Sequence, residues 1–214
     1  EIAFLIGAAE NFDSALKIVL RKVSEITNWV FGEVWLPRAD GAVLEYSPVW
    51  YSQTDGLEKF KKASRGFTFA PGVALPGRVW ASKKPVWTTD FSADKNFLRA
   101  DIAKELGLKV GMAIPILADN KVLAVMVFFG SKIRQEDNHL IKTISEIAAQ
   151  LGLVILRKKT EEKSKILTQQ LRASEQQLRA GNQQLMSAQI QLQEKIKDLD
   201  KNQLILYSLA EDVQ

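Results

Sequence analysis

With one histidine and no cysteine, this 214-residue chain has few routes to covalent or metal chemistry. Without a thiol there is no disulfide, thiolate metal site, thiol nucleophile or thioether-linked cofactor. His139 stands alone in Glu136-Asp137-Asn138-His139-Leu140, and an ordinary zinc site needs several nitrogen or sulfur ligands. A single histidine also builds no Ser-His-Asp arrangement here. A kinase phosphoacceptor would be expected in a His-Glu or His-Asp context followed by Pro-Leu, so His139 reads as a surface or cap residue on a helix's first turn. Gly72 and Gly77 lie in turns that lack the Gly-Lys-Ser/Thr ending of a phosphate loop. Glu33, Asp90 and Asp101 are too scattered to pair as acid and base. The expectation is that this segment is not an enzyme, which leaves binding chemistry.

The bulk properties narrow the partner. The net charge is +4, but 29 basic residues stand against 25 acidic ones, with the signs interspersed. The Lys59-Phe60-Lys61-Lys62 run does not extend into a basic face with interleaved aromatics, so no nucleic-acid partner is expected. No apolar run approaches the ~20 residues that cross a bilayer, and no signal peptide is seen. We expect no membrane partner and a cytoplasmic location, with which the lack of cysteine is consistent. The chain starts at Glu1 and ends at Val213-Gln214 without a closing feature, which reads as a segment of a longer protein.

Several elements must position any binding residues. Asn11 or Asp13 offers an N-cap to a helix with Phe12, Leu16, Val19, Leu20, Val23 and Ile26 along one face. Phe31 to Leu36 reads as a strand, followed by an Asp40-Gly41 hairpin signal and a partner strand from Ala42 to Tyr51. Pro48 marks that partner as an edge strand or the site of a bulge. Gln53 to Lys62, with Leu57 and Phe60 spaced i, i+3, reads as a short helix or loop, and Gly66 to Phe69 as a short strand. In Ala70 to Phe91, Pro71-Gly72 and Pro76-Gly77 form turns, Arg78 to Ala81 a short helix stopped by Pro85, and Val86 to Thr89 a strand. Asp94 to Leu106, capped by Ser92 or Asp94, is helix-rich. Val110 to Leu117 and Val122 to Phe129 are nearly continuously apolar, as suits central strands joined by a hairpin through Ala118 to Lys121.

APGVALPGRVWASKKPVWTTDF at 70–91, followed by GLKVGMAIPIL and NKVLAVMVFFG, resembles the GAF domain of bacterial and cyanobacterial sensory signalling proteins. The resemblance covers roughly residues 1 to 160. It implies an α+β fold: an antiparallel sheet with helices on one face, and crossing loops enclosing a small-molecule site on the other. Three ligand chemistries known in that family are disfavoured by this sequence. Covalent bilin attachment and methionine-sulfoxide reduction need cysteines. The Asn-Lys-Phe-Asp-Glu signature of cyclic-nucleotide binders is matched only at Lys95, Phe97 and Asp101, with Asp94 and Ile102 out of pattern. No cofactor is therefore expected, apart from a non-covalently held small molecule.

The candidate ligand contacts follow from that implied pocket. By strand alternation Glu33 and Trp35 share a face, and so do Met112, Ile114 and Ile116. Trp80, Trp87 and Phe97 belong to the covering segment, and Arg78 and Arg99 could meet an anionic ligand. A plainer alternative stands beside this: the aromatics fill the cavity as core and Arg78 pairs with Asp90.

From Glu136 the texture changes. Ile144, Ile147, Ala148, Leu151, Val154 and Ile155 form one helical stripe. Leu171, Leu178, Leu185, Leu192, Leu199 and Leu206 recur every seven residues, the mark of a coiled coil. The companion seam positions are poor (Glu175, Asn182 and Gln189 among them), and a register break is expected near Arg157 to Lys165. The organisation expected is a GAF domain at 1–156 and a coiled-coil signalling helix at 157–214 that dimerises in parallel. Gly181-Asn182 leaves two readings, a continuous helix or a reversal into an antiparallel hairpin. The function implied is a sensory module of a two-component histidine kinase, with a ligand-free dimerisation scaffold as the alternative.

Overall fold

The computed structural model describes residues 6–9, 11–91, 94 and 96–211, with side chains at 159, 162, 200 and 202–211 left aside. Of the apolar residues 1–9, which read from the sequence as the end of an incoming helix, 6–8 are helical and 1–5 lie outside the described residues, as does Ser92, one of the expected caps. The described chain divides into two units, 1–159 and 160–214.

The first unit is built on one six-stranded antiparallel sheet in the order β3-β2-β1-β6-β5-β4. The strands are β1 (Phe31–Pro37), β2 (Leu44–Ser52), β3 (Thr68–Phe69), β4 (Val86–Thr88), β5 (Val110–Ala118) and β6 (Lys121–Gly130). β6 lies at the centre, as its continuous apolar run requires. Asp119 and Asn120 both adopt positive φ, 48° and 58°, giving the tight two-residue turn that matches strand twist. At Pro48 the alternative resolves to a bulge. Glu33 pairs Trp50 and Trp35 pairs Tyr46, so one residue of β1 faces three of β2. β2 is not the edge, because β3 pairs with its Leu44 and Glu45.

One face carries α1 (Phe12–Thr27) and the start of α5 (Asn138–Glu211). The Asn11 side chain accepts from Ser14 N–H at 2.9 Å and so caps α1. Leu16, Val19, Leu20 and Val23 are buried, whereas Ile26, expected on the same face, is 70% exposed. It follows the last buried residues of the helix, Val23 and Ser24. Arg134 closes the other end of α1. Its guanidinium donates to Thr27 O at 2.7 Å and lies 5.6 Å from the Trp29 ring.

The opposite face is covered by α2 (Glu58–Ser64), α3 (Ala74–Ser82) and α4 (Ala100–Glu105) with their loops. α3 begins four residues earlier than expected and includes Pro76 and Gly77 in its first turn. A proline there loses no bond, because first-turn N–H groups have no intrahelical partner. Gly77 is required by close approach, since a Cβ would lie 2.3 Å from Ala70 O.

α5 is, by length and composition alone, long and apolar enough to cross a membrane. The sequence reading looked for an unbroken apolar run, and this helix reaches an apolar average without one. Its Ile144, Ala148, Leu151 and Ile155 are buried in the core of the first unit. Asp137 caps it, accepting from Leu140 N–H at 2.9 Å, and His139 beside it is exposed. The helix runs without interruption through Gly181, so the reversal does not occur. In the second unit Leu171, Leu178, Leu185, Leu192 and Leu199 are all at least 60% exposed.

Candidate functional site

At the centre of the loop-covered face sits a charged pair that is sealed from solvent. Glu33 on β1 is 0% exposed and Arg99, just before α4, is 3% exposed. Arg99 Nη2 donates to Glu33 Oε1 at 2.6 Å and Nη1 to Glu33 Oε2 at 3.0 Å, a two-pronged pairing that matches fork to carboxylate. Trp35 Nε1 donates to Glu33 Oε1 at 2.8 Å. Ser64 Oγ accepts from Arg99 Nη1 at 2.5 Å and lies 3.1 Å from Glu33 Oε2. The guanidinium carbon lies 4.6 to 5.9 Å from the ring centres of Phe60, Trp35, Phe129, Phe69 and Phe97. A delocalised cation among five aromatic rings gains from their quadrupoles, most strongly where water is excluded. The bonding is nonetheless incomplete, for Arg99 Nε has no hydrogen-bond partner among the described residues.

Four of the nine sequence candidates meet here: Glu33, Trp35, Phe97 and Arg99. Phe97 stacks on Phe91 with ring centres 4.0 Å apart. Trp80 packs at the margin of the same core, partly buried. Arg78 pairs with Asp94 at 2.5 Å, not with Asp90, and reaches Thr88 Oγ1 at 3.5 Å. The same segment is held by Asn96, which bonds Ala74 N and Gly72 O. In the cyclic-nucleotide comparison, Lys95 lies outside the described residues, Phe97 is buried and Asp101 is exposed.

Met112, Ile114 and Trp87 must be corrected. All three belong to the core on the other face, under α1 and α5. The cause is register. Glu33 pairs Val127, and Val127 pairs Ala113, so Ala113 shares the face of Glu33 while Met112 and Ile114 point away. Trp87 pairs Met112, meets Trp29 edge-on at 5.2 Å and donates to Arg134 O at 3.2 Å. Sequence reasoning missed Phe60, Ser64, Phe69 and Phe129. Phe60 and Ser64 have the i, i+4 spacing of one helix face, which was the available signal.

Tyr46 stands next to this group, its ring edge-on to Trp35 at 5.3 Å and its hydroxyl without a hydrogen-bond partner among the described residues. Burial first, then the Glu33 charge, pushes its phenol well above the ordinary value. A raised phenol contributes stability that is intact below the unfolded-state value of about 10. That stability is lost as pH rises further, because only the unfolded chain then ionises. Tyr46→Phe is expected to leave neutral-pH stability unchanged or higher and to flatten this alkaline loss, as read by urea melts at stepped pH.

Open cavities lie outside the sealed pair. One of about 480 Å³ is lined by Asp90, Phe91, Asp101, Lys104, Leu108 and Lys109, among others, and by none of the nine candidates. Another of about 420 Å³ is lined by Glu45, Tyr46, Pro48, Arg65, Phe67 and Thr68, which puts Tyr46 between open solvent and the Glu33 chamber.

Similar proteins share this architecture. The GAF domain of a phosphoenolpyruvate-protein phosphotransferase from Coxiella burnetii superimposes with a TM-score of 0.63 at 15% identity, covering 76% of this chain and 92% of that one. A free methionine-R-sulfoxide reductase from Neisseria meningitidis, in complex with its substrate, gives 0.61 at 14% identity over 75% and 87%. A chain described as the domain of a two-component sensor histidine kinase protein from Sinorhizobium meliloti gives 0.51 at 15% over 69% and 92%. At such identities the likeness is one of fold. Among curated sequences, Protein NLP3 of Arabidopsis thaliana is 30% identical over 99 residues, 39% of this chain but 13% of that protein. Basic helix-loop-helix protein A of Pisum sativum is 40% identical over 53 residues, 24% of this chain and 8% of that protein. The chain thus spans a small part of these curated relatives. Residues 9–156 match the GAF domain family as a whole, and the chain belongs to that family.

Proposed function

We propose that this chain is a sensory regulatory module of a two-component histidine kinase. Its GAF domain takes up a small molecule, and α5 carries the resulting change to an output domain as a parallel homodimer. The observation that carries this reading is the leucine row of α5. Five leucines at heptad spacing are 60 to 71% exposed, from Leu171 to Leu199. A single helix cannot bury such a row, and a second copy in register can. Polar seam positions, Glu175, Asn182 and Gln189, keep neighbouring registers close in energy, which a transmitting element needs. The sensor-kinase description of the Sinorhizobium meliloti chain supports the kinase setting. We read the segment as non-catalytic, since it brings no thiol and one exposed histidine.

A second reading has an observation of its own. The chamber where a ligand would sit holds Arg99, which favours a GAF fold used as a dimerisation scaffold without ligand. Native mass spectrometry separates the two. The expected result is a dimer that carries a small-molecule mass lost on denaturation. A dimer without that mass selects the scaffold. The variant Leu178→Gln with Leu185→Gln is expected to be monomeric while the first unit stays folded, and a persisting dimer would remove α5 as the interface.

A further inference from the structure

We propose that the Glu33 chamber is a binding site for an external organic cation, with a guanidinium or alkylammonium head, and that Arg99 is its resident occupant. The ligand class follows from the walls. A carboxylate with no solvent exposure presents both oxygens to one cation, and five aromatic rings lie within 6 Å of that cation's centre. Such a cage selects positive charge on a weakly hydrated, delocalised or alkylated head.

Three features make Arg99 an occupant that can be exchanged. Among the described residues its Nε–H finds no acceptor, so the chamber does not fully satisfy this side chain, and the buried Tyr46 hydroxyl at the rim is left unpaired as well. The arginine does not belong to the sheet. It precedes a six-residue helix, at φ −111° and ψ 25°, without a side-chain cap, so withdrawing it disturbs α4 and leaves the strands paired. An open cavity also lies beside the chamber wall. The cavity of about 420 Å³ has Tyr46 in its wall, and the Tyr46 ring packs directly on Trp35. An entering cation would release Arg99 and its segment, linking occupancy to movement of α4.

This rests on reading the domain as a small-molecule sensor, but the two can fail separately. Dimer formation does not involve the chamber, and a bound anion found by native mass would keep the sensor and sink the cation.

The test uses the full chain, with ethylguanidinium as probe and urea as a neutral control of similar shape. Arg99→Ala empties the chamber of its cation. Ethylguanidinium is expected to raise the melting temperature of Arg99→Ala saturably, while urea does not. The wild type should bind it at least about tenfold more weakly, because its competent state is occupied by Arg99. In the wild type, saturating ethylguanidinium should speed amide exchange in residues 99–106, and unchanged exchange at saturation would overturn the displacement of Arg99. The double variant Arg99→Ala with Glu33→Gln should lose the response. Should Arg99→Ala fail to fold alone, recovery of its near-ultraviolet circular dichroism by ethylguanidinium supports the proposal, and no recovery overturns it. Absence of saturable stabilisation in folded Arg99→Ala, or an equal response in the double variant, also overturns it.

Discussion

Glu33→Ala is expected to destabilise the folded domain by about 3–5 kcal/mol, the usual cost of removing one partner of a buried ion pair. The size comes from what is left behind. Arg99, 3% exposed, would keep its charge among five rings with no counterion, and the Trp35 indole N–H would lose its acceptor. Taking both charges away is a different matter. Glu33→Leu with Arg99→Met fills similar space with apolar atoms, and most of the loss should return, since such replacements are often neutral or stabilising. A double-mutant cycle in urea would measure the coupling. A cost below about 1 kcal/mol for Glu33→Ala would place the pair among weak, solvent-screened interactions and contradict its burial.

Gly152→Ala should be the second large effect, because there is no space for a methyl group. A Cβ at 152 would lie 2.0 Å from Leu117 O and 3.0 Å from Leu117 C, both backbone atoms of β5. Neither can rotate aside, so α5 must lift from the sheet or β5 must bend. Overpacking of this kind costs about 1–3 kcal/mol and sometimes more. It outweighs the helix-propensity gain of about 1 kcal/mol for alanine over glycine. Gly181 provides the control on the same helix, with nothing within 4 Å of its hypothetical Cβ. Gly181→Ala should stabilise helical structure by about 1 kcal/mol. Thermal melts followed by circular dichroism would report both signs. A neutral Gly152→Ala would mean that α5 does not seat this closely on β5.

Local pattern was enough for much of the architecture. Helical periodicity places α1 and the start of α5, and the apolar runs of β5 and β6 announce a sheet centre, because burial imposes its period on any segment. Pro48 announced a break in pairing, since a residue without an N–H cannot complete the ladder. The heptad leucines of α5 were equally plain, being a repeat rather than a contact.

The candidate site divides differently. Glu33 and Trp35 could be set on one face from their spacing, and Arg99 could be singled out as a charge in the covering segment. That the arginine turns inward to the glutamate, 66 residues away, depends on how the chain entering α4 is placed over the sheet. Neither residue carries a local mark of it. The same reason explains the misplacement of Met112, Ile114 and Trp87. Alternation says which residues of one strand share a face, but only the pairing of Glu33 with Val127 and of Val127 with Ala113 says which face that is. The sequence by itself determined the family, the order of elements and the leucine row, all of which are local or periodic. The tertiary structure alone decided what fills the chamber, because that is a matter of register and of a long-range ion pair.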